Sequence, residues 1–343
     1  MTKYGHNTAR LRVDRWQVME SGHPLPDENS LAAGKALLDY LDALPDGLPL
    51  LFLLSGGAST LVEVLPKGLE LDVLERINDW LLGSGLDIGE MNVIRKRLSH
   101  IKGGRLARYL RGRRCLQLLI SDVPGDDPAT IGSAPLYPSS EARLPNSLPA
   151  WLNGLLACSE PAPGEADGVF ATIETRIVAS NDQARLAAAE QARAMGLSVT
   201  EHLGHFQGRA EQLAGEFVAE LSASVPGVHV WGGESSVSLP PAPGRGGRNQ
   251  HLALAAARML AGRERCLLLA AGTDGSDGPT EEAGALVDGM TIRRGEEEGL
   301  SADMALCDAD SGRFLEFSGD LIETGPTGTN VMDLVIAWSW SED

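Results

Sequence analysis

Positive charge is scarce in this chain. Its 343 residues carry 29 Lys and Arg against 47 Asp and Glu, a formal net charge of −18 with a pI near 4.8. Such a surface repels nucleic acid and anionic membrane, so neither is expected as a partner. Cysteine is scarce too, with four residues (Cys115, Cys158, Cys266, Cys307) and no C-x-x-C pair. Cys115 and Cys266 each begin an apolar run, where a buried free thiol is the ordinary state. Neither a disulfide framework nor a zinc site is expected, which points to a reducing compartment. The longest apolar run, LPLLFLL, falls far short of the roughly 20 residues of a membrane helix. The opening MTKYGHNTARLR has charge but no apolar h-region, unlike a secretory signal. The expectation is a soluble, cytoplasmic protein. Three common catalytic signatures are also missing: G-x-x-x-x-G-K-[ST], G-x-G-x-x-G and G-x-S-x-G. P-loop nucleotide binding, dinucleotide binding and serine hydrolysis therefore lack support in the sequence.

What is present is a globular composition, 43% apolar and 22% charged, at a length that suggests about two domains. Apolar runs alternate with helical patterns, which predicts βαβ units and a parallel sheet. PLLFLL (49–54) reads as a buried strand that breaks at Ser55-Gly56-Gly57, and CLQLLI (115–120) as another. Val73, Leu74, Ile77 and Leu81 follow helical spacing between Asp72 and Leu82. A helix is predicted from Asn181 to Met195, with Ser180 as N-cap and Gly196 past its end. LSVTEHL then reads as a strand, and a further helix covers Arg209 to Ala223. Composition shifts at Val225-Pro226-Gly227, which sets a boundary between domains 1–224 and 225–343. Beyond it come a strand (VHVWGGE), a Pro/Gly-rich turn at 240–247, a helix around Gln250–Ala261 and the strand CLLLAAG. FLEFS and MDLVIAWSW read as strands. Residues 128–168 predict long loops around a short helix at 148–156.

So acidic a chain must concentrate its cations locally to bind an anion. The stretch 81–127 does so: Arg95, Lys96 and Arg97, then Lys102 and Arg105, precede an apolar run that ends in SDVPGDD. Cations for an anion and carboxylates for a metal or a proton are what phosphoryl transfer needs in one place. LSGGAS follows a strand, so Ser55, Gly56, Gly57 and Ser59 could present backbone N–H groups to an anion at a helix start. The same turn also serves strand–helix packing. In IKGGR, Lys102 would reach a phosphate while Gly103 and Gly104 permit close backbone approach, the plainer alternative being a solvated basic surface. Asn92 could orient a hydroxyl and Arg95 could fork onto a carboxylate or phosphate. Asp122 leaves the end of a predicted parallel strand, where open α/β sheets place ligands, and is a candidate magnesium ligand or general base. Asp126 and Asp127 are candidates for a water-mediated metal contact, although turn chemistry alone accounts for P-G-D-D. Glu234 ends the GGE strand; Arg245 and Arg248 of GRGGRNQ are candidate anion clamps, with Asn249 a candidate N-cap. Asp274 and Asp277 of TDGSDGPT lack calcium-loop spacing and are equally turn formers. GPTGTN (325–330) is another turn able to present N–H groups, and His202 and His205 read as surface residues.

Taken together these stretches resemble the class II glycerate 2-kinase family, whose members end in a MOFRL-type domain. The matching pieces include TKYGH (2–6), ESGHPLPDENS (20–30), LLSGGAS (53–59), SGLDIGEMNVIRKRLSHIKGGRLA (84–107) and SDVPGDDPATIGSAP (121–135). GGESSV (232–237), GRGGRNQHLALA (244–255), GTDGSDGPTEEAGA (272–285) and GPTGTNVMDL (325–334) come after them in the same order. The resemblance implies an α/β fold: a Rossmann-like parallel-sheet domain plus a smaller C-terminal α/β domain of MOFRL type. It implies that ATP and D-glycerate give ADP and 2-phosphoglycerate with the help of Mg²⁺. Carried over by motif, Lys102, Asp122 and Arg248 are catalytic; that Asp122 takes the 2-hydroxyl proton is our own inference from its place at the strand end. Ser55, Gly56, Gly57, Ser59, Asn92, Arg95, Gly103, Gly104, Glu234, Asn249, Asp274 and Asp277 bind substrate or nucleotide, and Asp122 and Asp126 hold the metal. Family members usually begin with a longer segment whose G-K-A turn carries a lysine thought to act in catalysis, and this sequence opens past that point. Smaller departures are Ala58, Arg97, Ala134 and His251. A non-catalytic ligand-binding relative and a hydroxypyruvate reductase are the other readings; the latter predicts NAD(P)H oxidation, against which the missing G-x-G-x-x-G turn counts. The oligomeric state is open, with a homodimer as one option.

Overall fold

The computed structural model describes residues 1–4, 16–22, 25–86, 88–139, 144–145, 147–157 and 159–341. The chain divides into two units, Met1–Leu119 with Asp126–Val178, and Ile120–Gly125 with Ala179–Asp343.

The first unit begins with a short parallel pair, β1 (Thr2–Lys3) and β2 (Glu20–Ser21). Helix α1 (Glu28–Ala43) starts at a capping box: Asp27 accepts from the Ser30 amide at 2.9 Å, and the Asp27 amide donates to the Ser30 hydroxyl at 3.0 Å. Strand β3 (Leu50–Leu54) leads into the single turn α2 (Ala58–Leu61), after which come α3 (Leu71–Gly83) and α4 (Ile88–Arg97). Strand β4 (Cys115–Ile120), helix α5 (Ala150–Ala157) and β5 (Ile173–Ala179) complete it. The sheet order is β3-β4-β5, with β3 and β4 parallel as expected. Ile77 and Leu81 of α3 bury their faces against Ile94, Leu98, Leu152 and Leu156. A second cluster gathers Leu41, Ile101, Leu106, Leu110 and Cys115.

Gly34 on α1 fixes how closely that helix approaches the neighbouring chain. A Cβ there would lie 2.0 Å from the Glu63 carbonyl oxygen, so α1 packs directly on the backbone that carries Glu63. Gly34→Ala is expected to cost about 1–3 kcal/mol by overpacking, read from urea unfolding. An unchanged midpoint would mean that the two backbones are not held this close.

The second unit contains α6 (Asn181–Ala194), β6 (Val199–Arg209), α7 (Ala210–Ala223), β7 (Gly227–Ser236) and α8 (Arg248–Leu260). It continues with β8 (Cys266–Gly272), β9 (Gly284–Asp288), α9 (Thr291–Glu297), α10 (Ala302–Cys307), α11 (Ser311–Ser318), β10 (Leu321–Ile322) and β11 (Asp333–Ser339). The sheet order is β10-β9-β8-β11-β7-β6. Only β6 and β7 run parallel; β11 returns antiparallel between β7 and β8, so this sheet is mixed. Helix α8 is buried from Asn249 to Ala257, its alanines allowing close approach to Leu268 and Val335 of the sheet and Leu213 and Phe217 of α7.

The compact units divide at Ala179, because β6, α7 and β7 form one parallel crossover, and the composition shift at 225–227 falls in the loop before β7. Two expectations change here. FLEFS is not a strand but the end of α11, with Phe314, Leu315 and Ser318 on its buried side; five residues cannot distinguish the two periods. His202 and His205 are not surface residues either. His202 stacks on Trp231 at 4.4 Å between centroids and its Nε2 lies 2.9 Å from Nδ1 of the buried His229, while His205 lies 3.5 Å from Asp182. Cys115 and Cys266 are buried free thiols as expected, Cys307 is exposed, and Cys158 lies outside the described residues. Among the described residues no helix is long and apolar enough to cross a membrane.

Candidate active site

The glycine-rich turn before α8 sets up the charged cluster of the second unit. Gly247 stands at the N-cap and has no side chain to cap with, so the cap comes from Asp277. Its Oδ1 accepts from the Asn249 amide at 3.0 Å and its Oδ2 from the Gln250 amide at 2.8 Å. Gly247 must stay small, since a Cβ would lie 2.3 Å from the Asp277 carboxyl carbon. Burial raises the Asp277 carboxyl to about 6, against the pull of the two amides. Between an ordinary value near 4 and about 6, the folded chain therefore holds a proton that the unfolded chain has lost. The Asp277 contribution is present in full at low pH and lost as pH rises through 6. Urea unfolding of wild type and Asp277→Asn should show the difference shift in favour of wild type as pH falls from 7 to 5. A difference that stays constant would place the carboxyl in solvent.

Arg248 is the first residue of α8. Its Nε donates to Asp333 Oδ2 at 2.7 Å and its Nη2 to Asp333 Oδ1 at 3.1 Å, while Nη1 pairs with Glu234. Burial works against the guanidinium, but the bonds and charge of Asp333, with Glu234 adding, outweigh it and raise its pKa. Asp122, just past the end of β4, is half-buried; burial raises its carboxyl, and the neighbouring Glu234 charge adds. Arg245 is committed elsewhere, its amide to Asp310 at 2.8 Å and its guanidinium to Glu316 at 2.5 Å and to Glu282. Asp274 closes its own turn on the Ser276 amide at 3.0 Å. Its carbonyl accepts from the Thr327 amide at 3.1 Å, which joins this loop to GPTGTN.

In the first unit Lys102 is 5% exposed and its Nζ is ion-paired with Glu63, itself 3% exposed. Ser99 donates its hydroxyl to the other Glu63 oxygen at 2.6 Å. A small cavity of about 40 Å³ is lined by Ser59, Glu63, Asn78, Arg95 and Lys102. Burial lowers the Arg95 pKa. A larger cavity of about 220 Å³ is lined by Asn92, Lys96, Arg97, Gly103, Asp127 and Ser139 among others. Asn92 and Lys96 share a face of α4 at i, i+4 spacing, whereas Arg95 serves the other cavity. Lys96 donates to the Ala129 carbonyl at 2.7 Å; burial lowers its pKa, with Asp127 opposing.

Known proteins resemble this chain along most of its length. Residues 1–145 match a domain of unknown function (DUF4147), and residues 227–333 match the MOFRL family. A D-glycerate 2-kinase of Thermotoga maritima is 36% identical over 349 residues, spanning 98% of this chain and 82% of that one. This chain belongs to the glycerate 2-kinase family. The crystal structure of glycerate kinase from Thermotoga maritima has a TM-score of 0.85 at 33% identity, covering 98% of this chain and 84% of that one. A protein of Agrobacterium vitis named putative hydroxypyruvate reductase is 36% identical over 97% of this chain and 79% of its own length.

Several of the residues that family resemblance marks come together. Asp122, Glu234 and Arg248 share one charged neighbourhood, and Ser59, Arg95 and Lys102 line one cavity. Others hold the scaffold. Gly103 and Gly104 donate their amides to the carbonyls of Ser133 at 2.9 Å and Ala134 at 2.6 Å, so these N–H groups are spent on the turn. Gly104 has φ of 81°, and a Cβ would lie 2.7 Å from the Phe170 ring. Asn249 is not the N-cap but a donor to the capping carboxylate, and Asp277 caps rather than faces solvent. Ser55 is exposed and Gly56 half-buried, while Gly57, at φ of 74°, starts only the single turn α2. Asp126 has a buried Oδ1 without a hydrogen-bond partner. The Arg248 partner Asp333 and the Lys102 partner Glu63 were missed. Both carried a faint signal: an acid at an inward position of the apolar strand DLVIAWS, and an acid inside LVEVL.

Proposed function

We propose that this chain is an ATP-dependent kinase that transfers the γ-phosphoryl group of ATP to the 2-hydroxyl of D-glycerate, in the cytoplasm. The observation that carries this reading is the guanidinium of Arg248 at the start of α8, paired with exposed Glu234, whose charge also acts on the half-buried Asp122. The name of the Thermotoga relative, a D-glycerate 2-kinase, supports it. Asp122 accepts the proton of the attacking hydroxyl, and its raised pKa makes it a stronger base than an ordinary carboxylate. Arg248 stabilises the negative charge spread over the transferring group. Magnesium, when bound, neutralises phosphate charge and usually takes only one or two carboxylates, with phosphate oxygens and water completing its shell. Asp126 is the residue that would hold it, and its buried Oδ1 without a hydrogen-bond partner fits that demand. Among the described residues no group of three or more metal-ligating side chains is assembled, which such a site does not require. The first unit carries anion-binding groups of its own: Ser59 and Arg95 line one cavity, Asn92 and Lys96 another. Lys102 keeps the IKGGR turn in place through Glu63 instead of gripping phosphate.

A coupled ADP-release assay with ATP and D-glycerate tests this. ADP should appear only when glycerate is present, stop on chelation of magnesium, and accompany 2-phosphoglycerate. Hydroxypyruvate should drive no NAD(P)H oxidation. Oxidation of the nicotinamide without ADP release would replace the kinase with the reductase.

A further inference from the structure

We propose that Asp333 is the positioning residue of Arg248, and that Glu234 is an internal stand-in for the anionic group of the substrate. The inference rests on the kinase reading. Two carboxylates share one guanidinium and are not equivalent. The Asp333 side chain is 2% exposed and takes two nitrogens, Nε and Nη2, in a fork. A fork of two parallel N–H···O bonds fixes both the plane and the direction of a guanidinium. Glu234 takes the third nitrogen, Nη1, and its side chain is 45% exposed.

Asp333 is itself held. It is the first residue of β11, registered between Gly233 of β7 and Gly272 of β8. Its carbonyl accepts from Nδ2 of Asn181 at 3.0 Å, and the same nitrogen donates to the Val331 carbonyl at 2.8 Å. Asn181 is fully buried. Arg248 is therefore anchored on the protein side, and its remaining edge carries the partner that solvent can reach. An exposed, single-point ion pair contributes little and is easily exchanged, whereas a buried forked pair is not. A phosphate oxygen can take the same N–H from Nη1 with more charge than a carboxylate carries. Glu234 keeps that edge neutralised until the phosphate arrives. Asp333 prevents the guanidinium from following Glu234 away.

Asp333→Asn, Glu234→Gln, Arg248→Ala and the Arg248→Ala/Asp333→Asn double variant test this, each checked for folding by thermal unfolding. Misplacing a catalytic group by about 1 Å can cost about 100-fold, so Asp333→Asn is expected to lower kcat about 10–100-fold with a smaller change in KM for ATP. In the Arg248→Ala background it should lower kcat no further, because Asp333 acts only through that arginine. An unchanged kcat per folded molecule would make Asp333 merely structural and overturn the assignment, and a further loss of kcat in the Arg248→Ala background would overturn it as well. Glu234→Gln should tighten ATP binding about two- to fivefold by removing a competing exposed pair. Weaker ATP binding in that variant would overturn the stand-in role. ATP titration calorimetry separates this inference from the reading beneath it. A wild type that binds ATP but phosphorylates no glycerate sinks the glycerate kinase alone, and binding must then depend on Asp333 only where Arg248 is present. A wild type that neither turns over nor binds ATP overturns both.

Discussion

Lys102→Met should lower the unfolding free energy by about 3–5 kcal/mol, because it strands a carboxylate inside the first unit. The reasoning starts from exposure: Lys102 and Glu63 are both nearly sealed from water, and each is the other's charge partner. Among the described residues Glu63 keeps only the Ser99 hydroxyl and the adjacent Val64 amide when the ammonium is gone. Those two neutral donors do not replace a cation in a low-dielectric surrounding. Adding Glu63→Gln to the same chain removes the stranded charge, so the double variant should recover most of the loss. Urea unfolding of the two single variants, the double variant and wild type closes the cycle. A single-variant loss below about 1 kcal/mol would mean that the pair behaves as a solvated one. Activity lost by Lys102→Met should track the fraction unfolded, which a phosphate-gripping lysine would not do.

Arg248→Ala should reduce kcat/KM by about 10²–10³-fold, the scale set by removing one preorganised stabiliser of transition-state charge. Stability will fall as well, because Asp333 loses the partner that compensates its burial. The Arg248→Ala/Asp333→Asn double variant separates the two losses: it should regain stability and remain inactive. Arg248→Lys should recover little, since an ammonium cannot reproduce the fork on Asp333 together with the third bond to Glu234. Arg245→Ala is the contrast from the same turn. Its guanidinium partners Glu316 and Glu282 are scaffold, so turnover should remain within about tenfold while thermal stability drops. Arg248→Ala with turnover close to wild type would remove it from the chemistry.

The elements that were legible in the sequence share one property: their signal is local. Helix α3 shows in the spacing of Val73, Leu74, Ile77 and Leu81, and α6 in its stop at Gly196. Strands β4 and β8 show as short apolar runs. FLEFS failed because its window was too short. The glycines of IKGGR allow a close backbone approach in sequence, and which partner takes their amides, here the carbonyls of Ser133 and Ala134, is set by a segment 30 residues away.

Taken alone, the order of residues settled family membership, most of the helices and strands, and the concentration of cations into two short stretches of an acidic chain. Which cations are already neutralised was decided only on folding. Lys102 finds Glu63 across 39 residues, and Arg248 finds Asp333 across 85. Charge attraction depends on distance in space and on the water excluded around the pair, and neither quantity is written in sequence separation.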